Sequence, residues 1–340
     1  MTAQRWAKLV AAIAGLAVSA ASVAGAEAAA DFYAGKTLTM IVGFAPGGGV
    51  DTTARVVARH LVRFIPGEPG LVVQNMEGAA GLVAANYLAQ RVAADGLTIA
   101  MPGRSWYVEG ALKSPGVAFD VDKLTYIGSP GGVNSALYVR TATGIDSLAA
   151  LKASPRPLTF GTLGSTTPTA MVPALLAQQG YPIKTISGYV STARVLLALE
   201  QGEVDGMWTV EDSFGRRQDL LDKNIVRPIL QSRPHYPGVP VLRDVMPQSQ
   251  RPLLLLLEAP EEFGLPLVGP AGIADERANA LRQAFLAMAA DPDYQADAVK
   301  AEQPVGSPIG GERLLAMIQE LARAATPDIV AGYRQLGSAK

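Results

Sequence analysis

The stretch Gly43-Phe44-Ala45-Pro46-Gly47-Gly48-Gly49-Val50-Asp51 sets three consecutive glycines between an apolar run, Leu38 to Val42, and a segment with helical spacing. Glycines there let backbone amides approach a ligand closely. The unpaired N–H groups at a helix start, with the helix dipole, favour an anion. Two more specific chemistries fail on spacing. A phosphate loop of the Walker type needs a lysine after its glycines, and none follows; G-x-G-x-x-G is not satisfied from Gly47 onward. The stretch therefore reads either as an anion-accepting loop or as a tight strand-to-helix turn. Asp51 is itself a good helix cap. We expect it to cap the second and third helical amides and leave those of Gly47, Gly48 and Gly49 facing a cleft.

A second donor-rich loop, Gly161-Thr162-Leu163-Gly164-Ser165-Thr166-Thr167, also follows an apolar run and opens a helical segment, and it adds hydroxyls to the amides. Alone it is a good N-terminal turn; opposed to the first loop across a cleft, it would make the other half of an anion site. Trp106 and Trp208 each come shortly after a predicted strand, a position that fits either a cleft rim or a core. Arg104 could supply a positive charge for a second carboxylate of a ligand.

Catalysis has little to work with. The two histidines, His60 and His235, have no acidic or cysteine neighbour at metal-ligand spacing, and G-x-S-x-G does not occur. No metal or cofactor is expected. Glu258, Glu261 and Glu262 read as a solvated loop.

The elements that must position these loops alternate. Leu38 to Val42, LVVQN from Leu71 and LTIAM from Leu97 are strand-like. Asp51 to Phe64 and Leu82 to Ala93 are helical, with Val57, Ala58, Leu61 and Leu88 on apolar faces. Leu137 to Val139 and Leu158 to Phe160 begin a second region of the same kind, and Asp275 to Ala290 and Gly311 to Ala325 are late amphipathic helices. This pattern predicts an α/β fold with doubly wound sheets, whose ligand sites lie at the carboxyl ends of strands. No low-complexity linker separates the regions, so two hinge strands rather than a flexible tether are expected. The five leucines Leu253 to Leu257 are too few to span a bilayer and read as a buried strand or helix turn.

Arg5 and Lys8 precede an apolar stretch from Leu9 to about Ala24, and Ala26-Glu27-Ala28 fits a small-residue cleavage site. Residues 1–28 thus read as a secretory signal peptide, with an uncleaved anchor as the alternative. The chain has no cysteine, so an exported fold would be stable without disulfides. With 29 basic and 30 acidic residues mixed along the chain, it lacks the basic stripe that nucleic acid would require.

IVGFAPGGGVDTTARVVARHL, PGEPGLVVQNMEGAAGLVAANYLAQ, ADGLTIA, GYVSTARVLLALEQGEVDG, PGVPVLRDV and FGLPLVGPAGIADERANALRQAF, in this order, resemble the substrate-binding proteins of tripartite tricarboxylate transporters, the Bug family of periplasmic receptors. The resemblance implies a type II periplasmic-binding-protein fold. Residues 29–135 with 238–340 would form one domain, and 136–237 the other. It implies a small carboxylate ligand, with Phe44, Ala45, Pro46, Gly47, Gly48, Gly49 and Asp51 in the first loop, supported by Gly78, Ala79, Ala80 and Gly81. Gly161, Thr162, Gly164, Ser165 and Thr166 would form the second loop, and Tyr189, Ser191 and Thr192 with Asp205 would line the cleft. Glu77 and Ala80 depart from the Pro-Gly-Ala-Gly common in the family. The function implied is that of a monomeric periplasmic receptor docking to the large and small subunits of a membrane permease. A sensory receptor for a membrane kinase is the alternative, and an exported hydrolase or isomerase is a third reading, disfavoured by the missing catalytic constellation.

Overall fold

The computed structural model describes residues 29–163, 167–189, 192–211, 214, 217–301, 303 and 307–338. The expected signal segment, residues 1–28, lies outside them. In chain order, β1 (Thr37–Val42), α1 (Gly49–Leu61), β2 (Gly70–Asn75), α2 (Leu82–Arg91), β3 (Thr98–Met101), α3 (Trp106–Ala111) and β4 (Thr125–Ser129) come first. Next come β5 (Ser135–Arg140), α4 (Leu148–Lys152), β6 (Leu158–Thr162), α5 (Pro168–Gln178), β7 (Ile183–Ser187), α6 (Thr192–Gln201), β8 (Gly206–Val210), α7 (Asp219–Asp222) and β9 (Val226–Gln231). The chain returns through α8 (Leu242–Val245), α9 (Arg251–Glu262), β10 (Leu267–Gly269), α10 (Asp275–Ala290), α11 (Pro292–Lys300), β11 (Ile309–Gly310), α12 (Gly311–Ala324) and α13 (Pro327–Ser338).

Two sheets result, ordered β11-β4-β10-β3-β1-β2 and β7-β6-β8-β5-β9. Each is built around three parallel strands in which the first lies between the second and third: β1 between β2 and β3, and β6 between β7 and β8. Each then takes in an antiparallel strand reached by a crossing of the chain. β5 joins the second sheet directly after β4, and β10 joins the first only after β9 has closed the second. The sheets are therefore mixed, with the doubly wound character confined to their parallel parts. Strands covered on both faces need continuous apolar runs, and β4 and β5 are accordingly buried almost throughout.

Each sheet has a core on either face. In the first, α1, α10 and α11 cover one side, and α2, α3 and α12 the other. The second packs α5 on one side and α6 on the other. Helix α9 serves both sheets: Leu253, Leu254 and Leu257 enter the core of the second, while Leu256, Ala259 and Phe263 enter that of the first. One crossing between the sheets is the short segment 130–134, and the other runs through α8 and α9 rather than a plain strand. The leucine run is thus a helix. The glutamates after it are not in a solvated loop: Glu258 and Glu261 are 4% and 7% exposed on α9. Their helix is pinned between two cores, and this burial depends on contacts far away in the chain.

Candidate functional site

The strand order places the turns after β1, β2 and β3 side by side at a switch point, where open α/β sheets bind ligands. They touch closely. A Cβ at Gly43 or at Gly81 would collide with the Pro102 carbonyl oxygen, and one at Gly103 would run into the Phe44 ring. Asn75, the last residue of β2, donates from Nδ2 to the Phe44 carbonyl at 2.8 Å and to Asp51 Oδ1 at 2.8 Å. Ala45, Pro46, Gly47, Gly48 and Gly49 are exposed above this floor. Gly48 caps α1 without a side-chain bond, and Thr52 N–H is the first to reach back, to the Gly48 carbonyl at 2.8 Å. The amides of Gly49, Val50 and Asp51 therefore have no acceptor within the helix and carry its positive end.

Asp51 does not cap the second and third helical amides. Its Oδ2 accepts the Gly47 amide at 2.8 Å and Arg55 Nε at 2.9 Å, while Arg55 Nη2 donates to Asn75 Oδ1 at 3.0 Å. The reason is position: Asp51 lies in the first turn, not at the cap, so its carboxylate folds back under the loop. Burial alone would raise its carboxyl; the hydrogen bonds from Arg55, Asn75 and Gly47 outweigh that and hold it at about 2. Asp51 thus consumes the Gly47 amide and stiffens the loop, leaving the helix-start amides as the donors open to an anion.

The turn after β2 is a left-handed hook, with φ of 46° at Ala79 and 53° at Ala80 between Gly78 at 140° and Gly81 at 94°. Ala79 and Ala80 wall a cavity of about 560 Å³, together with Ser105 and Trp106 after β3, Thr167 and Pro168 at the start of α5, and Tyr333 and Arg334 of α13. Residues carried by both sheets therefore meet across one space. Residues 44–49 stand beside it through the Gly43, Gly81 and Pro102 contacts rather than lining it.

On the second sheet, a Cβ at Gly161 would press on Val195 and the Tyr189 ring, and Thr162 Oγ1 pairs with Ser187 Oγ at 3.0 Å. The Leu163 amide donates to Thr169 Oγ1 at 3.3 Å, which orders the approach to α5. Gly164, Ser165, Thr166 and Ser191 lie outside the described residues. Tyr189 donates its amide to the Thr162 carbonyl at 3.4 Å but lines a separate groove beside α6, which Thr192 opens.

Asp205, Trp208 and Arg104 are held away from the cavity as well. Asp205 sits just before β8, at the amino end of the parallel strands. Two Arg156 nitrogens bind it there at 2.9 Å each, and the Thr159 amide at 2.9 Å. Trp208 is fully buried in the second sheet's core, where its Nε1 reaches Glu261. Arg104 acts electrostatically on Tyr107 and Glu261, toward the junction of the sheets. Trp106 is 1% exposed and packs with Tyr107, Phe119 and Tyr126, presenting one side to the cavity. Thr167, the last residue of the second donor-rich loop, reaches the cavity, whereas sequence reasoning missed Ser105 and α13. The last had a signal, since Ile329, Val330, Tyr333 and Leu336 follow Pro327 with helical spacing.

Two sheets of this order, joined by two crossings and meeting at the carboxyl ends of their parallel strands, define a periplasmic-binding-protein fold. Residues 53–217 match the family described as the tripartite tricarboxylate transporter family receptor. Protein BugT of Bordetella pertussis is 35% identical over 155 residues, 44% of this chain and 46% of that protein; the alignment thus spans about half of that relative's length. A solved solute-binding protein of the same family from Polaromonas superposes with a TM-score of 0.68 at 17% identity, covering 88% of this chain and 97% of that one. MatC from Rhodopseudomonas palustris, solved with malate bound, gives 0.57 at 21% identity, over 87% and 99% of the two chains. Over about half of its length the chain is similar to the tripartite tricarboxylate transporter receptors and to BugT. Among the described residues no helix is long and apolar enough to cross a membrane.

Proposed function

We propose that this chain is an extracytoplasmic solute-binding protein that captures a small organic carboxylate between its halves, residues 29–135 with 238–340 and residues 136–237, and delivers it to a membrane permease of the tripartite type. The observation that carries this reading is the cavity bounded by Ala79, Ala80 and Ser105 from one sheet and Thr167 and Pro168 from the other. A ligand touching both halves favours the state in which they close, because it binds that state more tightly than the open one. The helix-start amides of Gly49 and Val50 would take a carboxylate, and the Thr167 hydroxyl and the α5 start would take its far end. Malate in the R. palustris structure supports a dicarboxylate of that size as the first ligand to try.

The test is a thermal-shift screen of the chain from Ala29 onward against mono-, di- and tricarboxylates, amino acids and neutral sugars. A cognate carboxylate at about 100 times its Kd is expected to add about 2.7 kcal/mol of stability. A shift from neutral compounds alone, with every acid silent, would overturn the assignment.

A further inference from the structure

A second cavity, at about 740 Å³ larger than the one between the sheets, lies among α8, α9, α12 and α13 and shares no lining residue with it. Its walls are apolar where Leu255, Phe263, Met317 and Ile329 meet. Its rim carries Arg251, Arg313 and Arg323, all exposed and without an ion-pair partner among the described residues. Arg243 also reaches in, but it is held by Glu258 at 3.0 Å and Glu262 at 3.4 Å, so Glu320 is the one unengaged carboxylate on the lining. Glu258 has its Oε1 buried with no hydrogen-bond partner. Burial pushes its carboxyl up to about 7, against the charge and hydrogen bond of Arg243, so it carries only part of a negative charge at neutral pH. Three free guanidinium groups above an apolar floor are what an amphipathic anion needs, and the volume is that of a small-molecule site.

We propose that this cavity is a second ligand site, for an amphipathic monocarboxylate whose apolar body rests on Leu255, Phe263, Met317 and Ile329 and whose carboxylate is held by Arg251, Arg313 and Arg323. The proposal does not depend on what the cleft binds.

Titration calorimetry of the chain from Ala29 onward with decanoate, decanol and decyltrimethylammonium tests it. Decanoate is expected to bind one per chain, at least tenfold more tightly than either analogue. The double substitution Arg313→Glu with Arg323→Glu should weaken it at least tenfold while leaving the melting curve in place. If that variant does not fold, Leu255→Trp, which fills the cavity without changing charge, should abolish binding instead. Absence of saturable binding at millimolar decanoate, equal binding of the cationic analogue, or binding unchanged in a folded variant of either kind overturns the proposal.

Discussion

Trp208 Nε1 donates to Glu261 Oε1 at 3.4 Å, and so ties β8 of the second sheet to the helix that carries the chain back to the first. The Glu261 carbonyl also accepts the Val133 amide at 2.8 Å, and Gly132 has no room for a Cβ beneath the Glu261 and Glu262 carbonyls. Both crossings of the chain are thus joined at one residue.

Burial pushes the Glu261 carboxyl up to about 7. The hydrogen bonds of Ser135 and Trp208 oppose this, the charge of Glu258, one helical turn away, adds to it, and the charge of Arg104 opposes it; Tyr107 faces Glu261 and Glu262. Below pH 4.5 the folded and unfolded chains are both protonated here. From 4.5 to 7 the unfolded chain releases its proton first, so stability falls with rising pH, on the order of 3 kcal/mol for a shift of this size. Glu258, also near 7, adds a coupled contribution. Urea melts at pH 5, 6 and 7.5 should show the parent losing stability across the window and Glu261→Gln losing markedly less; a parent with a flat profile contradicts the assignment.

The same contact can be read by fluorescence. Trp106→Phe leaves Trp208 as the one tryptophan after residue 28. Its emission should change with a midpoint near pH 7 as Glu261 ionises, and the change should vanish when Glu261→Gln is added. A pH-independent spectrum in the single variant would mean that the hydrogen bond does not respond to the carboxyl.

Asp51→Ala leaves Arg55, Asn75 and the Gly47 amide without their shared acceptor. It should cost roughly 2–4 kcal/mol, more than a surface cap would. Because the Asp51 carboxyl is depressed to about 2, its contribution is present above pH 3.8 and is lost as pH falls from there toward 2. Denaturant melts at pH 7 and pH 2.5 should show the gap between parent and variant narrowing in acid. Equal stability at neutral pH would show that the network is slack.

Ala80 holds a left-handed conformation that costs an L-residue about 1 kcal/mol and glycine almost nothing. Ala80→Gly should therefore raise the melting temperature by a degree or two, net of the extra chain entropy. Gly81→Ala should do the opposite, by roughly 2 kcal/mol or more, since its φ of 94° and the Pro102 carbonyl both exclude a Cβ. Differential scanning calorimetry of the pair measures both signs.

What the sequence determined by itself was local. The alternation of apolar runs with amphipathic segments marks β1, α1, β2, α2 and β3 to within a few residues, because side-chain period depends only on neighbours. The glycines at 47–49 marked the loop over α1 for the same reason. Tertiary structure decided which polar groups were already spoken for. Asp51 turned to Gly47 and Arg55 instead of the helical amides, and Asp205 was taken by Arg156. Glu261 went from an exposed reading to a buried bond with Trp208, 53 positions away. Burial and hydrogen-bond partners are set by chain crossings between sheets, and no local pattern records which distant residue a crossing will bring.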